Sequence, residues 1–333
     1  MKAIALISGG LDSILAARLI KDQGVEIIPL NFKMSFSCSG KRPNLEIDRF
    51  NLVKDALGAG LITIDISEDF LKMLLNPRYG FGSNMNPCID CKILMLDKAR
   101  ELMPQYQAEF VVTGEVLGQR PMSQHKQALS NIERNSGLDG LLLRPLCARL
   151  LPESVPEKQG WVNRQKLLDF NGRGRRQQMA LAKSFNIVGY QNPGGGCLLT
   201  DLGFSNRLKD LITHHELDFN SIELCKIGRH FRLNPETKLI VGRSQEENND
   251  LAKLAIDGDY LFMPGVDLAG PTSLARGVID DELFRLSCNI TCCFCDLDGK
   301  IKAELSYRRI PDPDFKAVEA VPANKEESAK FRI

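Results

Sequence analysis

Residues 8–13 read Ser8-Gly9-Gly10-Leu11-Asp12-Ser13 and stand between a short apolar run and an amphipathic one. No other feature constrains the fold as tightly. The run before it, residues 3–7, has the length and apolarity of a buried strand. In residues 13–21, Ile14, Leu15 and Leu19 recur beside Arg18 at the spacing of one helix face. A strand that becomes a helix through two glycines leaves unpaired N–H groups at the helix start, in the positive field of the helix dipole. Glycine permits the tight turn and a close ligand approach, and Ser8 and Ser13 add hydroxyl donors. The result is an anion site at the carboxyl end of a strand. The string lacks the Gly-Lys-Ser/Thr ending of a Walker A loop and the Gly-x-Gly-x-x-Gly of a dinucleotide turn. A plain capped β–α turn is the competing reading.

The alternation continues along the first half of the chain. Strands are expected over 25–30, 61–66, 109–113 and 141–143, with helices over 45–56 and 92–103. This order predicts an α/β fold, a doubly wound and mostly parallel sheet. Loops rich in Asn, Gly and Pro interrupt it at 76–87, 151–160 and 191–196, where such folds carry function. After about residue 213 the long helices thin out, with one helix expected over 246–256 and a strand over 238–241. A second, smaller α+β domain is expected there. The division read from the sequence is 1–212, 213–310, and a charged, proline-containing flexible tail over 311–333.

Ten cysteines occur in 333 residues, with 43% hydrophobic residues and a formal charge of +1. The first residues are too short an apolar run for a signal sequence, and no run approaches the roughly 18 residues of a membrane span. A cytoplasmic protein with reduced thiols and no membrane association is therefore expected, its cysteines suited to metal or redox chemistry rather than disulfides. With so little net charge, a nucleic-acid surface has to be a local patch.

Cys88 and Cys91 form a C-x-x-C pair placed just before a helix, where the dipole favours a thiolate. Such a pair is a zinc half-site, a redox pair, part of an iron–sulfur site, or simple packing. Cys197 follows Gly194-Gly195-Gly196, which suggests an exposed thiol. Three thiolates would leave one iron of a [4Fe–4S] cluster without a protein ligand, free to carry sulfide. A persulfide relay between Cys91 and Cys197 fits the same spacing. Cys288, Cys292 and Cys295 have a C-x3-C-x2-C spacing, but with Cys293 they sit among Ile290, Thr291 and Phe294 and read as a buried strand of packing residues. Cys147 and Cys225 stand alone, and Cys38 lies in a polar loop near the anion site.

At residues 8–13 the chain resembles the PP-loop ATP-pyrophosphatase superfamily. That likeness implies ATP cleaved between its α and β phosphates and AMP carried onto a substrate oxygen. Ser8, Gly9, Gly10, Leu11 and Ser13 would hold the nucleotide, and Asp12 would help place Mg2+. Pro87-Cys88-x-x-Cys91, Thr113-Gly114-Glu115-Val116-Leu117-Gly118-Gln119, Leu143-Arg144-Pro145-Leu146 and Gly196-Cys197-Leu198 resemble, in order, the 4-thiouridine synthetase branch of tRNA sulfurtransferases, and also the 2-thiouridine branch. The resemblance covers about residues 1–212. It implies a transferase that thiolates a tRNA uridine, 4-thiouridine favoured, with Gly114 and Gln119 at the ATP site and Cys88, Cys91 and Cys197 catalytic. Sulfur would come from free sulfide or a cysteine desulfurase, and a homodimer is left open. The THUMP and rhodanese domains of that branch have no counterpart here, which favours cluster-bound sulfide.

Arg173, Arg175 and Arg176 crowd a glycine-flexible stretch leading into a helix over 177–185, as suits phosphate contacts or a solvated basic face. Val241-Gly242-Arg243-Ser244-Gln245-Glu246-Glu247-Asn248 resembles a stretch of the NFACT RNA-binding domain. That likeness implies that the second domain holds the tRNA through Arg229, Arg232 and Arg243, with His230 a weaker candidate. A rival reading keeps the ATP chemistry but gives it a small-molecule substrate, as in an amide ligase or a deazaguanine synthase with structural zinc. Another makes the chain a non-enzymatic RNA-binding factor.

Overall fold

The computed structural model describes residues 1–34, 36, 45–190 and 197–333, the side chains of 45–48 and 325 excepted. The chain divides into two compact units, Met1–Thr200 and Asp201–Ile333.

The first unit is built on five parallel strands: β1 (Lys2–Leu6), β2 (Glu26–Lys33), β3 (Ile62–Asp65), β4 (Phe110–Val112) and β5 (Leu142–Leu143). Their spatial order is β3-β2-β1-β4-β5, with Ala5 opposite both Pro29 and Val112. Strand alternation sends Ala3, Ala5, Phe110 and Val112 to one face and Ile4 and Val111 to the other. The first face packs on α1 (Leu11–Lys21), α2 (Leu45–Leu57) and α7 (Arg176–Ser184). The second packs on α4 (Cys88–Tyr106) and α5 (Lys126–Asn135). Helices α3 (Ser67–Leu75) and α6 (Val155–Lys158) complete the unit. The doubly wound parallel sheet expected from the sequence is present. Its order reverses between β1 and β4, so the crevice where such sheets take ligands opens beyond Leu6 and Val112.

The second unit holds α8 (Leu202–Thr213), α9 (Phe219–Leu224), β6 (Arg229–Asn234), β7 (Thr237–Val241), α10 (Gln245–Leu254), β8 (Tyr260–Pro264), β9 (Ser273–Gly277), α11 (Asp281–Cys292), β10 (Ala303–Arg309), β11 (Lys316–Ala320) and α12 (Lys325–Ala329). Its six strands form an antiparallel sheet in the order β11-β10-β8-β9-β7-β6.

Three sequence expectations change here. The boundary falls at 200 rather than 212, because Asp210 on α8 accepts hydrogen bonds from Arg232 on β6 and Lys238 on β7. Residues 311–333 are not a flexible tail: β11 pairs along β10 from Ala303–Ala320 to Tyr307–Lys316, and Ala320 is buried in the core. Residues 288–292 are helix rather than strand. Asp280 caps α11 by accepting the Leu283 N–H, while Ser287 and Thr291 turn their hydroxyls back onto Leu283 and Ser287 carbonyls, so short polar residues are tolerated inside the helix.

Candidate active site

The turn after β1 has the glycine-bent strand-to-helix form that its residues imply. Gly9 adopts φ +82°, a left-handed conformation that side chains disfavour. Gly10 stands at the N-cap of α1 and has no side chain with which to satisfy the first N–H groups. Ser13 donates its hydroxyl to the Gly10 carbonyl at 2.7 Å, and Ser8 Oγ lies 3.5 Å from Ser13 Oγ. Leu11 is buried beneath the turn, so its side chain anchors the loop rather than meeting a ligand.

Asp12 is the polar centre. Its Oδ2 accepts from Gln119 Nε2 at 2.8 Å and from Arg175 Nη2 at 3.3 Å. Its Oδ1 is buried with no hydrogen-bond partner among the described residues. A buried carboxylate oxygen without a partner beside an anion-binding turn suits a hard cation such as Mg2+. Gly114 leaves β4 directly against α1: a Cβ placed there would stand 2.5 Å from the Asp12 carbonyl carbon and oxygen. Gly114 and Gln119 thus both lie at the loop. Arg175, expected on an RNA face, instead turns its guanidinium to Asp12, while Arg173 and Arg176 remain exposed.

One residue here escaped sequence reading. The guanidinium of Arg49 on α2 lies directly over Gly9, and its Nη1 is 3.5 Å from Asn31 Oδ1 on β2. A single arginine in an amphipathic helix carries no signal of this. The contact exists only once α2 has packed on the sheet.

The thiols come together from separate parts of the chain. Helix α4 begins at Cys88, so Cys88 and Cys91 both occupy its first turn. Asn84 donates to the Thr200 carbonyl at 2.8 Å, and the Met85 N–H donates to the Leu199 carbonyl at 3.1 Å. These bonds bind the loop before Cys88 to the turn that begins at Cys197. The Cys88 thiol lies 3.2 Å from Asn86 Oδ1, and that of Cys197 lies 4.0 Å from the Phe36 carbonyl. Cys91 is partly accessible yet set deep among protein atoms, and burial pushes its thiol up to about 12. Lys92 and Arg120 pull it down, and the charges of Cys197 and Cys88 push it further up. The expected lowering at the helix start is thus overcome by desolvation. Among the described residues, no three His, Cys, Asp or Glu side chains stand at metal-holding spacing. Cys88 and Cys197 nonetheless lie near enough to Cys91 for their charges to act on it, with Lys92 and Arg120 beside them. Cys38 and residues 194–196 lie outside the described residues.

Gln119 and Arg120 connect the two halves of the site. Gln119 reaches Asp12, and the next residue, Arg120, acts on Cys91. A buried ion pair lies beneath them. Arg144 Nε donates to Glu115 Oε2 at 3.0 Å, its Nη1 to Glu133 Oε2 at 2.7 Å, and its Nη2 to the Leu129 carbonyl at 3.0 Å. Burial alone would raise the Glu115 pKa, but Lys92 and Arg144 hold it below its ordinary value. The Thr113-Gly114-Glu115 and Leu143-Arg144 stretches of the sequence are two sides of this pair.

The remaining cysteines pack. Burial raises Cys288 and Cys295 to about 12, and Cys147 and Cys225 to about 11. In the second unit, Arg229 donates to the Gly242 carbonyl at 3.0 Å, and Arg243 pairs with Glu247 while keeping much of its side chain exposed. Arg232, expected to contact RNA, is occupied by Asp210 and Glu216 in four hydrogen bonds and is largely buried. His230 is buried with Nε2 against the Leu224 and Ile227 carbonyls, and burial holds its pKa well down, so it packs.

Residues 1–149 match the family model described as thiamine biosynthesis protein (ThiI), and residues 228–332 match that of the NFACT protein RNA binding domain. A tRNA-specific 2-thiouridylase of Pelobacter propionicus is 34% identical over 109 residues, covering 30% of each chain. A probable tRNA sulfurtransferase of Thermococcus kodakarensis is 29% identical over 120 residues, covering 35% of this chain and 30% of that one. A solved 4-thiouridine synthetase–RNA complex with bound ATP aligns at 23% identity and a TM-score of 0.35, over 43% of this chain and 36% of that one. The chain thus spans about 30% of the length of these two curated relatives. No helix among the described residues is long and apolar enough to cross a membrane. The chain thus carries a match to the ThiI family model at residues 1–149 and a match to the NFACT RNA-binding-domain model at residues 228–332.

Proposed function

We propose that this protein is an ATP-dependent tRNA-uridine sulfurtransferase, with 4-thiouridine as its product. The observation that carries the reading is that an anion-binding turn and three converging thiols are joined through adjacent residues, Gln119 and Arg120. Such a site can activate an oxygen and replace it with sulfur without moving the substrate far.

ATP phosphates are held by the N–H groups of residues 9–13 and the Ser8 and Ser13 hydroxyls, with Arg49 over Gly9 offsetting their charge. Asp12 Oδ1 would hold Mg2+, which stabilises charge on the phosphates when bound. The uridine carbonyl oxygen attacks the α-phosphorus, and the bond to pyrophosphate breaks. Gln119 and Arg175 orient Asp12 during this step. Hydrosulfide then adds at the activated carbon, AMP leaves with the former carbonyl oxygen, and the proton that hydrosulfide brought is lost. Cys88, Cys91 and Cys197 would hold a [4Fe–4S] cluster, whose chemistry is to carry sulfide at an iron without a protein ligand. Lys92 and Arg120 favour anionic sulfur there. The sulfur reaches the site as free sulfide or from a cysteine desulfurase. Arg173, Arg176, Arg229 and Arg243 would hold tRNA phosphates.

The test is mass spectrometry of tRNA nucleosides from cells lacking the protein. Loss of 4-thiouridine, restored by the wild-type gene and not by an Asp12→Asn copy, supports the reading. Unchanged thionucleosides contradict it, and loss of 2-thiouridine alone moves the product to the other branch.

A further inference from the structure

The second unit contains a cavity of about 310 Å³ whose floor is a stacked pair: the Arg229 guanidinium lies 4.8 Å above the centre of the Phe294 ring. Its wall is the 242–248 stretch, including Arg243, Ser244 and Asn248, and Pro271 closes another side. No carboxylate lines it. Asn248 Oδ1 accepts the Thr272 N–H at 3.0 Å, which leaves the amide hydrogens of Asn248 as donors. The charges around it are unbalanced. Burial, followed by the charges of Arg243 and Arg332, lowers the Arg229 pKa, and Glu247 is the one acid acting against them. Glu247 is itself engaged with Arg243. Two further guanidinium groups acting on Arg229 against one carboxylate leave a positive excess that an anion would relieve. A cation stacked on an aromatic ring and lining a cavity offers a platform for a nucleobase.

We propose that this cavity takes one unpaired nucleotide of RNA, its phosphodiester against Arg243 and Arg229 and its base along the Arg229–Phe294 pair. The size supports a single nucleotide, since the cavity lies at the lower end of the ~300–1,000 Å³ range of ligand pockets. A duplex presents its bases stacked on one another and cannot place one here. The inference rests on the reading of the second unit as the RNA holder, and it adds that the domain selects a single-stranded segment.

The experiment uses the full chain and fluorescence anisotropy with a labelled single strand of about eight nucleotides, a blunt duplex of the same length, and AMP as competitor. The wild type binds the single strand about tenfold tighter than the duplex. Arg229→Lys keeps the charge and loses the planar stack, so it weakens the single strand about tenfold while the duplex changes by less than about twofold. Because Phe294 is packed and its variants risk misfolding, a second measurement locates the contact in the wild type: a 5-bromouridine oligonucleotide, irradiated when bound, crosslinks to the peptide carrying Phe294. Equal binding of the single strand by R229K, a preference for duplex, or crosslinks confined to residues away from the cavity would overturn the proposal. AMP displacing the oligonucleotide at equal concentration would also overturn it, by identifying a free-nucleotide site. Thiouridine formation with normal R229K binding would sink the pocket alone. Selective single-strand binding without thiouridine would sink the enzymatic reading alone.

Discussion

Replacing Gly114 with alanine puts a methyl group where β4 meets the start of α1. The new Cβ would stand 2.5 Å from the Asp12 carbonyl carbon and oxygen, against the 3.4 Å at which ordinary contact begins. The obstructing atoms are backbone in the first turn of a buried helix, so no side chain can swing aside. Relief requires the strand exit and the helix start to separate by about 1 Å in a close-packed interior. That displacement moves Asp12 and Ser13 relative to the turn that would hold the phosphates. A shift of this size at a reacting centre costs on the order of 100-fold in rate, or about 2.7 kcal/mol. Overpacking costs roughly 1–3 kcal/mol of stability in addition. The assay is tRNA-dependent pyrophosphate release, read beside a thermal melt. Gly60→Ala serves as the control, because a Cβ there meets nothing within 4 Å; it is expected to leave rate and melt unchanged. A Gly114→Ala protein that releases pyrophosphate at the wild-type rate would refute the placement of β4 against the phosphate loop.

Further outcomes follow from the same geometry. Arg144→Met leaves Glu115 and Glu133 with buried charge and no guanidinium, and should lower stability in urea by about 3–5 kcal/mol; Arg144→Lys should recover only part of this. Arg175→Ala should raise the KM for ATP about tenfold and leave tRNA affinity alone, whereas Arg173→Ala should leave the ATP KM alone and reduce the salt slope of tRNA binding by about one. Burial raises the Asp210 pKa, but bonds from Arg232 and Lys238 lower it further, to below its ordinary value. A lowered folded pKa stabilises above the unfolded value and is lost as pH falls through the folded one. Urea melts of the second unit should therefore weaken below about pH 4, and Arg232→Met should flatten that dependence.

What the sequence disclosed and what it concealed divide along physical lines. The strand–turn–helix at residues 8–13 was legible because its chemistry is local: two glycines, two hydroxyls and a helix start lie within six residues. The parallel sheet was legible from strand–helix alternation, since β4 is apolar throughout and β1 and β2 carry the apolar runs 3–6 and 27–30. The convergence of Cys197 on Cys88 and Cys91 could be suspected from residue type, but it is made by tertiary hydrogen bonds such as Asn84 to Thr200. Arg49, Arg175 and Arg232 show the limit. All three are arginines in polar stretches; one covers Gly9, one holds Asp12, and one is consumed by Asp210 and Glu216. Nothing in local sequence separates these roles, because each is set by the partner that packing brings. The end of the helix, residues 288–292, read as a strand because cysteine and threonine suit both, and the helix that Asp280 caps runs through it.

The central claim is that one site activates a uridine with ATP and delivers sulfur through three thiols. Its most direct test measures AMP and thiouridine together, using anaerobically prepared protein, tRNA, ATP and sulfide. The account predicts equal amounts of AMP and thiouridine in the wild type. In Cys88→Ser, Cys91→Ser and Cys197→Ser proteins, thiouridine should disappear, while AMP still forms through hydrolysis of the adenylated uridine by water. Full thiouridine formation by the triple-serine protein would contradict it.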